Sequence, residues 1–262
     1  MSLGAIHQRH WPGDPERPAL ALHCMMGNGR YWGPIAEALE GRIDLRAFDL
    51  PGHGRSAPWM PASGDPDIHT AVTRFAAGLI DRPLDLIGHS FGATVALRIA
   101  VAAPEAIRSL TLIEPVLFAA APAAAATDAR LSETMDALLA EGRMDEAARA
   151  FLSVWGGLPF DRQPPAARAQ MAGQVRLVAE TNDILMADRA DILRAGGLER
   201  IEAPVLLISG GDSPPVIGAI AEALAARLPD VGRATVPGAG HMLPITHAAQ
   251  VAGLVGVNLD RA

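Results

Sequence analysis

Lysine is absent from this 262-residue sequence, and every basic side chain apart from histidine is an arginine. With the abundant alanine, this reads as genome base composition rather than function. Cysteine occurs once, as Cys24. No disulfide can therefore close within the chain, and no thiolate cluster can hold a metal. Positive charge is in deficit, with a formal net charge of −7, which argues against nucleic acid or an anionic membrane surface as partner. Long apolar runs are missing too. The most apolar stretch, 116–126, is short, contains Pro122 and falls far below the length that spans a bilayer. Met1 to Pro18 is polar, broken by prolines, and lacks the apolar centre of a secretion signal. The expectation is a soluble cytoplasmic protein without metal or other cofactor. Its oligomeric state is open, a homodimer included.

Half of the residues are hydrophobic, enough to bury a substantial core in one large domain or a domain with an insertion. Compact apolar runs at 18–24, 42–50, 84–89, 109–116, 203–208 and 231–236 read as strands, and a weak edge strand is read at 5–9. Helical patterns fall between them at 32–39, 67–80, 91–103 and 215–228, and a last one closes the chain at 248–259. Short apolar strands joined by helices predict an α/β protein, a mostly parallel sheet flanked by helices. The rhythm breaks from 117 to 202, where only helices are read, at 129–140, 144–155, 165–180 and 184–193. The expected organisation is a core of 1–116 and 203–262 with a helical insertion, 117–202, over one end of the sheet.

The chemistry centres on Gly88-His89-Ser90-Phe91-Gly92, which an apolar strand enters and an alanine-rich helix leaves. This is the layout of a nucleophile elbow. A serine hydroxyl needs a base to take its proton, and a carboxylate to orient that base. Residues that directly follow parallel strands gather at one sheet edge. Ser90, Asp212 and His241 each follow a strand in that way, in the chain order Ser, Asp, His. They are the candidate nucleophile, acid and base. Glu114 also follows a strand at this edge and competes for the acid role, although its expected duty is that of a buried acceptor or of a contact supporting the insertion. His89 is expected to pack in the elbow, and His53 to be structural. His247 is expected to be a helix-start contact.

Taken together, these motifs resemble the α/β-hydrolase superfamily across nearly the whole chain. His23-Cys24-Met25-Met26-Gly27 is similar to the family's oxyanion loop. Asp49-Leu50-Pro51-Gly52-His53-Gly54-Arg55-Ser56 is similar to its D-x-P-G-H-G-x-S turn. Ser209-Gly210-Gly211-Asp212 and Gly240-His241 resemble its acid and base loops. The resemblance implies that 117–202 is a substrate cap. It also implies that the backbone N–H groups of Met25 and Phe91 form an oxyanion hole, with Cys24 as the substitute donor because it stands where glycine is usual. Trp32, Trp59, Met25, Met26 and Phe91 are expected to line an apolar pocket, roofed by Trp155, Phe151 and Met186. The implied partner is a small-molecule acyl substrate. The expected activity is cleavage of a small, largely apolar carboxylic ester by a serine hydrolase. Thioester, lactone and carbon–carbon bond cleavage are the alternatives within one site.

Two readings of other classes compete. Gly27-Asn28-Gly29-Arg30-Tyr31-Trp32-Gly33, with Asp49 after the next strand, resembles a dinucleotide fingerprint. Its third glycine comes one residue late, and Tyr31 and Trp32 are bulky where the helix must approach the sheet. A non-catalytic binding protein on the same fold is the other reading.

Overall fold

The structure, a computed structural model, describes residues 3–262. Met1 and Ser2, which open the polar stretch read as lacking a secretion signal, lie outside the described residues. Strands β1 (Gln8–Trp11), β2 (Pro18–Leu22), β3 (Asp44–Phe48), β4 (Leu84–His89), β5 (Ile107–Ile113), β6 (Val205–Gly210) and β7 (Val231–Val236) form one sheet. Its order is β1-β3-β2-β4-β5-β6-β7. The pairings are parallel apart from β1, which lies antiparallel to β3 at the edge. A central parallel strand is covered on both faces and so needs apolar residues throughout. All six residues of β4 are buried accordingly.

The helices are α1 (Gly33–Ala38), α2 (Ile68–Ala77), α3 (Phe91–Ala102), α4 (Ala126–Ala140), α5 (Met144–Trp155), α6 (Pro165–Ala187), α7 (Pro215–Ala225), α8 (Leu243–Thr246) and α9 (Ala248–Leu259). α2 starts where the Asp67 carboxylate accepts the Thr70 backbone N–H at 2.8 Å. Its Ile68, Val72 and Ala76 recur at helical spacing and join α3 and α7 in the core on one sheet face. α1 and α9 bury Ile35, Val251, Val255 and Leu259 against the other face. No helix among the described residues is long and apolar enough to cross a membrane.

Register explains why the chemistry collects in one place. His89 pairs with Ile113, and Ile113 pairs with Ile208. Ser90, Glu114 and the 209–213 turn therefore leave the sheet side by side at its carboxyl edge. The chain between β5 and β6 carries α4, α5 and α6, which pack on one another and reach over that edge. The expected helix break between 180 and 184 is not present. α6 runs unbroken to Ala187. It stops at Asp188, which has φ +47° and whose carboxylate accepts the Ile192 and Leu193 N–H groups. The helix thus ends inside the stretch 184–193 that reads as a separate helix in the sequence.

Candidate active site

Ser90 occupies the turn between β4 and α3 with φ +56° and ψ −118°, a backbone state an L-residue adopts only under constraint. The constraint comes from the glycines beside it. A Cβ on Gly88 would stand 2.5 Å from Ala93 Cα, and one on Gly92 would stand 2.2 Å from the Leu22 carbonyl oxygen. The tight turn holds Ser90 Oγ 2.9 Å from His241 Nε2. Both residues are only 7% exposed. His241 Nδ1 lies 2.9 Å from Glu114 Oε2. A carboxylate only accepts, so Nδ1 carries the proton and Nε2 is free to accept from the serine hydroxyl.

The acid facing His241 is therefore Glu114, not Asp212. Glu114 is fully buried and sits at the end of β5 with φ +51°. Its Oε1 accepts the Gly210 N–H at 2.6 Å and the Ser213 hydroxyl at 2.9 Å, which turns Oε2 toward His241. Asp212 is exposed on the neighbouring turn. Its backbone N–H donates to the Ala239 carbonyl oxygen, and among the described residues its carboxylate has no hydrogen-bond partner. Sequence position could not separate two acids that both directly follow strands of this edge. Side-chain direction does.

A second relay backs the first. The Cys24 N–H donates to the Tyr31 hydroxyl at 3.0 Å, and that hydroxyl donates to His89 Nδ1 at 3.0 Å. His89 Nε2 then donates to the His241 carbonyl oxygen at 2.9 Å. Every proton in this chain has one consistent place. Burial, then the nearby His241, holds the His89 pKa well below the usual histidine value, so its ring stays neutral as the bonding requires. The relay also corrects the role of Cys24. Its N–H is committed to Tyr31, whereas among the described residues the N–H groups of Met25 and Phe91, beside Ser90, have no hydrogen-bond partner. Burial pushes the Cys24 thiol up to about 12, so it stays protonated and unreactive. Tyr31 is the only tyrosine, and nothing in its sequence context marks it as part of the site.

Two chambers meet at Ser90. The inner one, with about 50 Å³ of free volume, reaches under the cap past Met25, Phe91, Phe151, Trp155 and Met186. The outer one, with about 410 Å³, runs past Cys24, Met25, Met26, Phe151 and Trp155 toward Ile245. Trp155 lies edge-on against the His241 ring, with centroids 4.7 Å apart. Two expected pocket residues are elsewhere. Trp32 is fully buried in the α1–α9 side of the core, carried there by the short helical turn Gly29–Trp32. Trp59 packs on the α2–α3 side of the core against Gly52.

The dinucleotide reading does not fit this geometry. The Asp49 carboxylate is fully buried and already accepts the Gly29 N–H at 2.7 Å and the Arg55 N–H at 2.8 Å, so it is not offered to a ribose. Among the described residues, no group of three or more His, Cys, Asp or Glu side chains could hold a metal ion.

Comparison with known proteins agrees with the geometry. A model of the Alpha/beta hydrolase family matches residues 19–254. The chain belongs to the alpha/beta hydrolase family. It is accordingly a hydrolase, on a fold with a seven-stranded, mostly parallel sheet. It is 34% identical to the lipase LipV of Mycobacterium tuberculosis over 165 residues, which cover 63% of this chain and 59% of that protein. It is 30% identical to a pimeloyl-[acyl-carrier protein] methyl ester esterase of Neisseria meningitidis, covering 92% of each. Among solved structures, the enol-lactonase from Burkholderia xenovorans superposes with a TM-score of 0.70 at 18% identity, over 97% of this chain and 96% of that one. Carboxylesterase CesB from Bacillus subtilis does so with 0.68 at 18% identity, over 98% and 88%. At such identities the likeness concerns the fold.

Proposed function

We propose that this hydrolase cleaves a small, largely apolar carboxylic ester through an acyl-enzyme. The observation that carries the reading is the unbroken Ser90–His241–Glu114 relay, with both contacts at 2.9 Å, at the meeting point of two chambers. Ser90 Oγ attacks the ester carbonyl while His241 Nε2 takes its proton. Glu114 holds the Nδ1–H tautomer and stabilises the imidazolium that forms. The Met25 and Phe91 N–H groups receive the negative charge on the carbonyl oxygen, assisted by the N-terminus of α3. His241 then gives its proton to the departing alkoxide. The same histidine activates the water that releases the acid. The named activities of the relatives, lipase and methyl ester esterase, support ester chemistry.

A fluorophosphonate probe tests this. It is expected to label Ser90, and Ser90→Ala is expected to abolish labelling and to lower ester turnover by roughly 10⁴–10⁶. Full labelling or full turnover in Ser90→Ala overturns the proposal. A panel of esters and thioesters of graded chain length, run beside Ser90→Ala, defines the bond class.

A further inference from the structure

The inner chamber is not apolar throughout. Besides Ser90 and His241, its polar side chains come from two cap helices. Asp128 and Ser132 stand one turn apart on α4, and Thr181 and Asn182 are adjacent on α6. Asp128 is only 6% exposed, and no other described residue donates a hydrogen bond to its carboxylate. The two hydroxyl protons are already used. Ser132 donates to the Asp128 carbonyl oxygen at 3.0 Å, and Thr181 donates to the Val178 carbonyl oxygen at 2.7 Å. Each hydroxyl has a single proton, so either oxygen has only acceptor capacity left to offer. No arginine lines it. The polar side chains that the cap adds to this wall are thus acceptors at Asp128, Ser132 and Thr181, with the Asn182 amide able to accept or donate. Burial also raises the Asp128 pKa above the usual carboxylate value, the behaviour of an acid short of partners. The free volume of about 50 Å³ has room for about four water-sized groups.

We propose that the inner chamber selects a short substrate arm ending in a hydrogen-bond donor, a hydroxyl or an ammonium, which Asp128 receives, and that it turns away an arm ending in a carboxylate. This rests on the reading of Ser90 as the nucleophile of ester hydrolysis. A terminal donor supplies the hydrogen bond that Asp128 lacks, and an ammonium also supplies the opposite charge. A terminal carboxylate brings further acceptors and like charge to a wall that already has both.

Two substrate series test the proposal by titrating released acid. The acyl series is methyl butanoate, methyl 3-hydroxypropanoate, methyl 3-aminopropanoate and monomethyl succinate. The alcohol series is butyl acetate and 3-hydroxypropyl acetate, because either arm of the ester can enter the chamber. In one series the donor-ended ester is expected to exceed its methyl-ended partner in kcat/KM by at least about ten-fold. Monomethyl succinate is expected to fall below methyl butanoate by a similar factor. Asp128→Leu is expected to bring the donor preference to one or below. Asp128→Asn is expected to remove most of the preference for the ammonium and less of that for the hydroxyl. Ratios near one in both series, or a preference unchanged in Asp128→Leu and Asp128→Asn, overturn the proposal. If neither variant folds, the ratios of the wild-type enzyme decide alone. Ser90-dependent turnover without donor preference sinks this inference only. Absence of any Ser90-dependent turnover, with no fluorophosphonate labelling, sinks the ester reading beneath it.

Discussion

Replacing Glu114 by glutamine changes one atom and inverts the logic of the relay. In the wild type, Oε1 takes two donors, the Gly210 N–H and the Ser213 hydroxyl, while Oε2 takes the Nδ1–H of His241. Glutamine has one acceptor end and one donor end. If its carbonyl oxygen stays on Gly210 and Ser213, its NH₂ faces His241 and demands a bare Nδ1. The ring proton then moves to Nε2, the atom 2.9 Å from Ser90 Oγ that must accept. If the amide flips, its NH₂ meets the Gly210 N–H, donor against donor, in a fully buried site. The first arrangement is the cheaper, and it disables the base. A wrong histidine tautomer in a triad of this type costs roughly 10⁴ in kcat, about 5 kcal/mol of transition-state stabilisation. Asp212→Asn, by contrast, alters an exposed side chain without a partner and is expected to change kcat less than about two-fold. The assay is kcat for a short ester in both variants, with thermal unfolding as a control for folding. A Glu114→Gln enzyme within ten-fold of wild type, beside a crippled Asp212→Asn enzyme, refutes the assignment and restores Asp212 as the acid.

Acid should unfold the protein early. Burial lowers the pKa of His23 and His69 to about 3 and of His53 to about 4, and holds that of His89 well below the usual value. The rings of His23, His53 and His69 are neutral in the folded state at pH 5, whereas the unfolded chain protonates them below about 6.5. Stability is therefore complete above 6.5 and is lost as pH falls toward the folded-state values. Linkage over these three groups gives roughly 6 kcal/mol lost between pH 7 and pH 5, within the range of a typical domain's whole stability. Circular dichroism against pH checks this, and a native spectrum retained at pH 4 contradicts it. Tyr31→Phe strips the Cys24 N–H of its acceptor and His89 of its donor. It should cost roughly 2 kcal/mol and lower Tm by about 5 °C in a scanning fluorimetry trace. Gly92→Ala drives a Cβ to 2.2 Å from a backbone carbonyl oxygen. A loss of at least about 3 kcal/mol in urea unfolding is expected, and an unperturbed midpoint means the elbow yields more readily than its packing suggests.

The elements easiest to read were those closely flanked by turn residues. The runs at 84–89 and 231–236 and the patterns at 144–155 and 248–259 became β4, β7, α5 and α9 with those bounds. The elbow was legible because its glycines answer a steric demand that Gly88 and Gly92 meet within one turn of chain. The partner of His241 was not legible, because Glu114 and Asp212 both directly follow strands of the same edge. What separates them is the positive φ at Glu114 and the grip of Gly210 and Ser213 on its Oε1. These contacts join residues far apart in the chain. Trp32 follows the oxyanion loop closely enough to suggest the pocket, yet a single helical turn carries it to the opposite face of the sheet. Asp128 gave no signal because it stands in an alanine-rich helix among other polar residues, and its burial is a property of the folded cap, in which α4 packs on α5 and α6.

That the acid stands at the end of β5 has a consequence for how the enzyme comes into being. Nucleophile and carboxylate both belong to one strand–helix–strand unit, in which β4 pairs with β5. The base arrives from the far end, on the loop ahead of α8 and α9. During synthesis the strands that carry Ser90 and Glu114 emerge first, but Gly210 and Ser213, which aim Glu114, and His241 follow much later, so on the proposed mechanism the hydroxyl is expected to stay inert until the C-terminal part has folded.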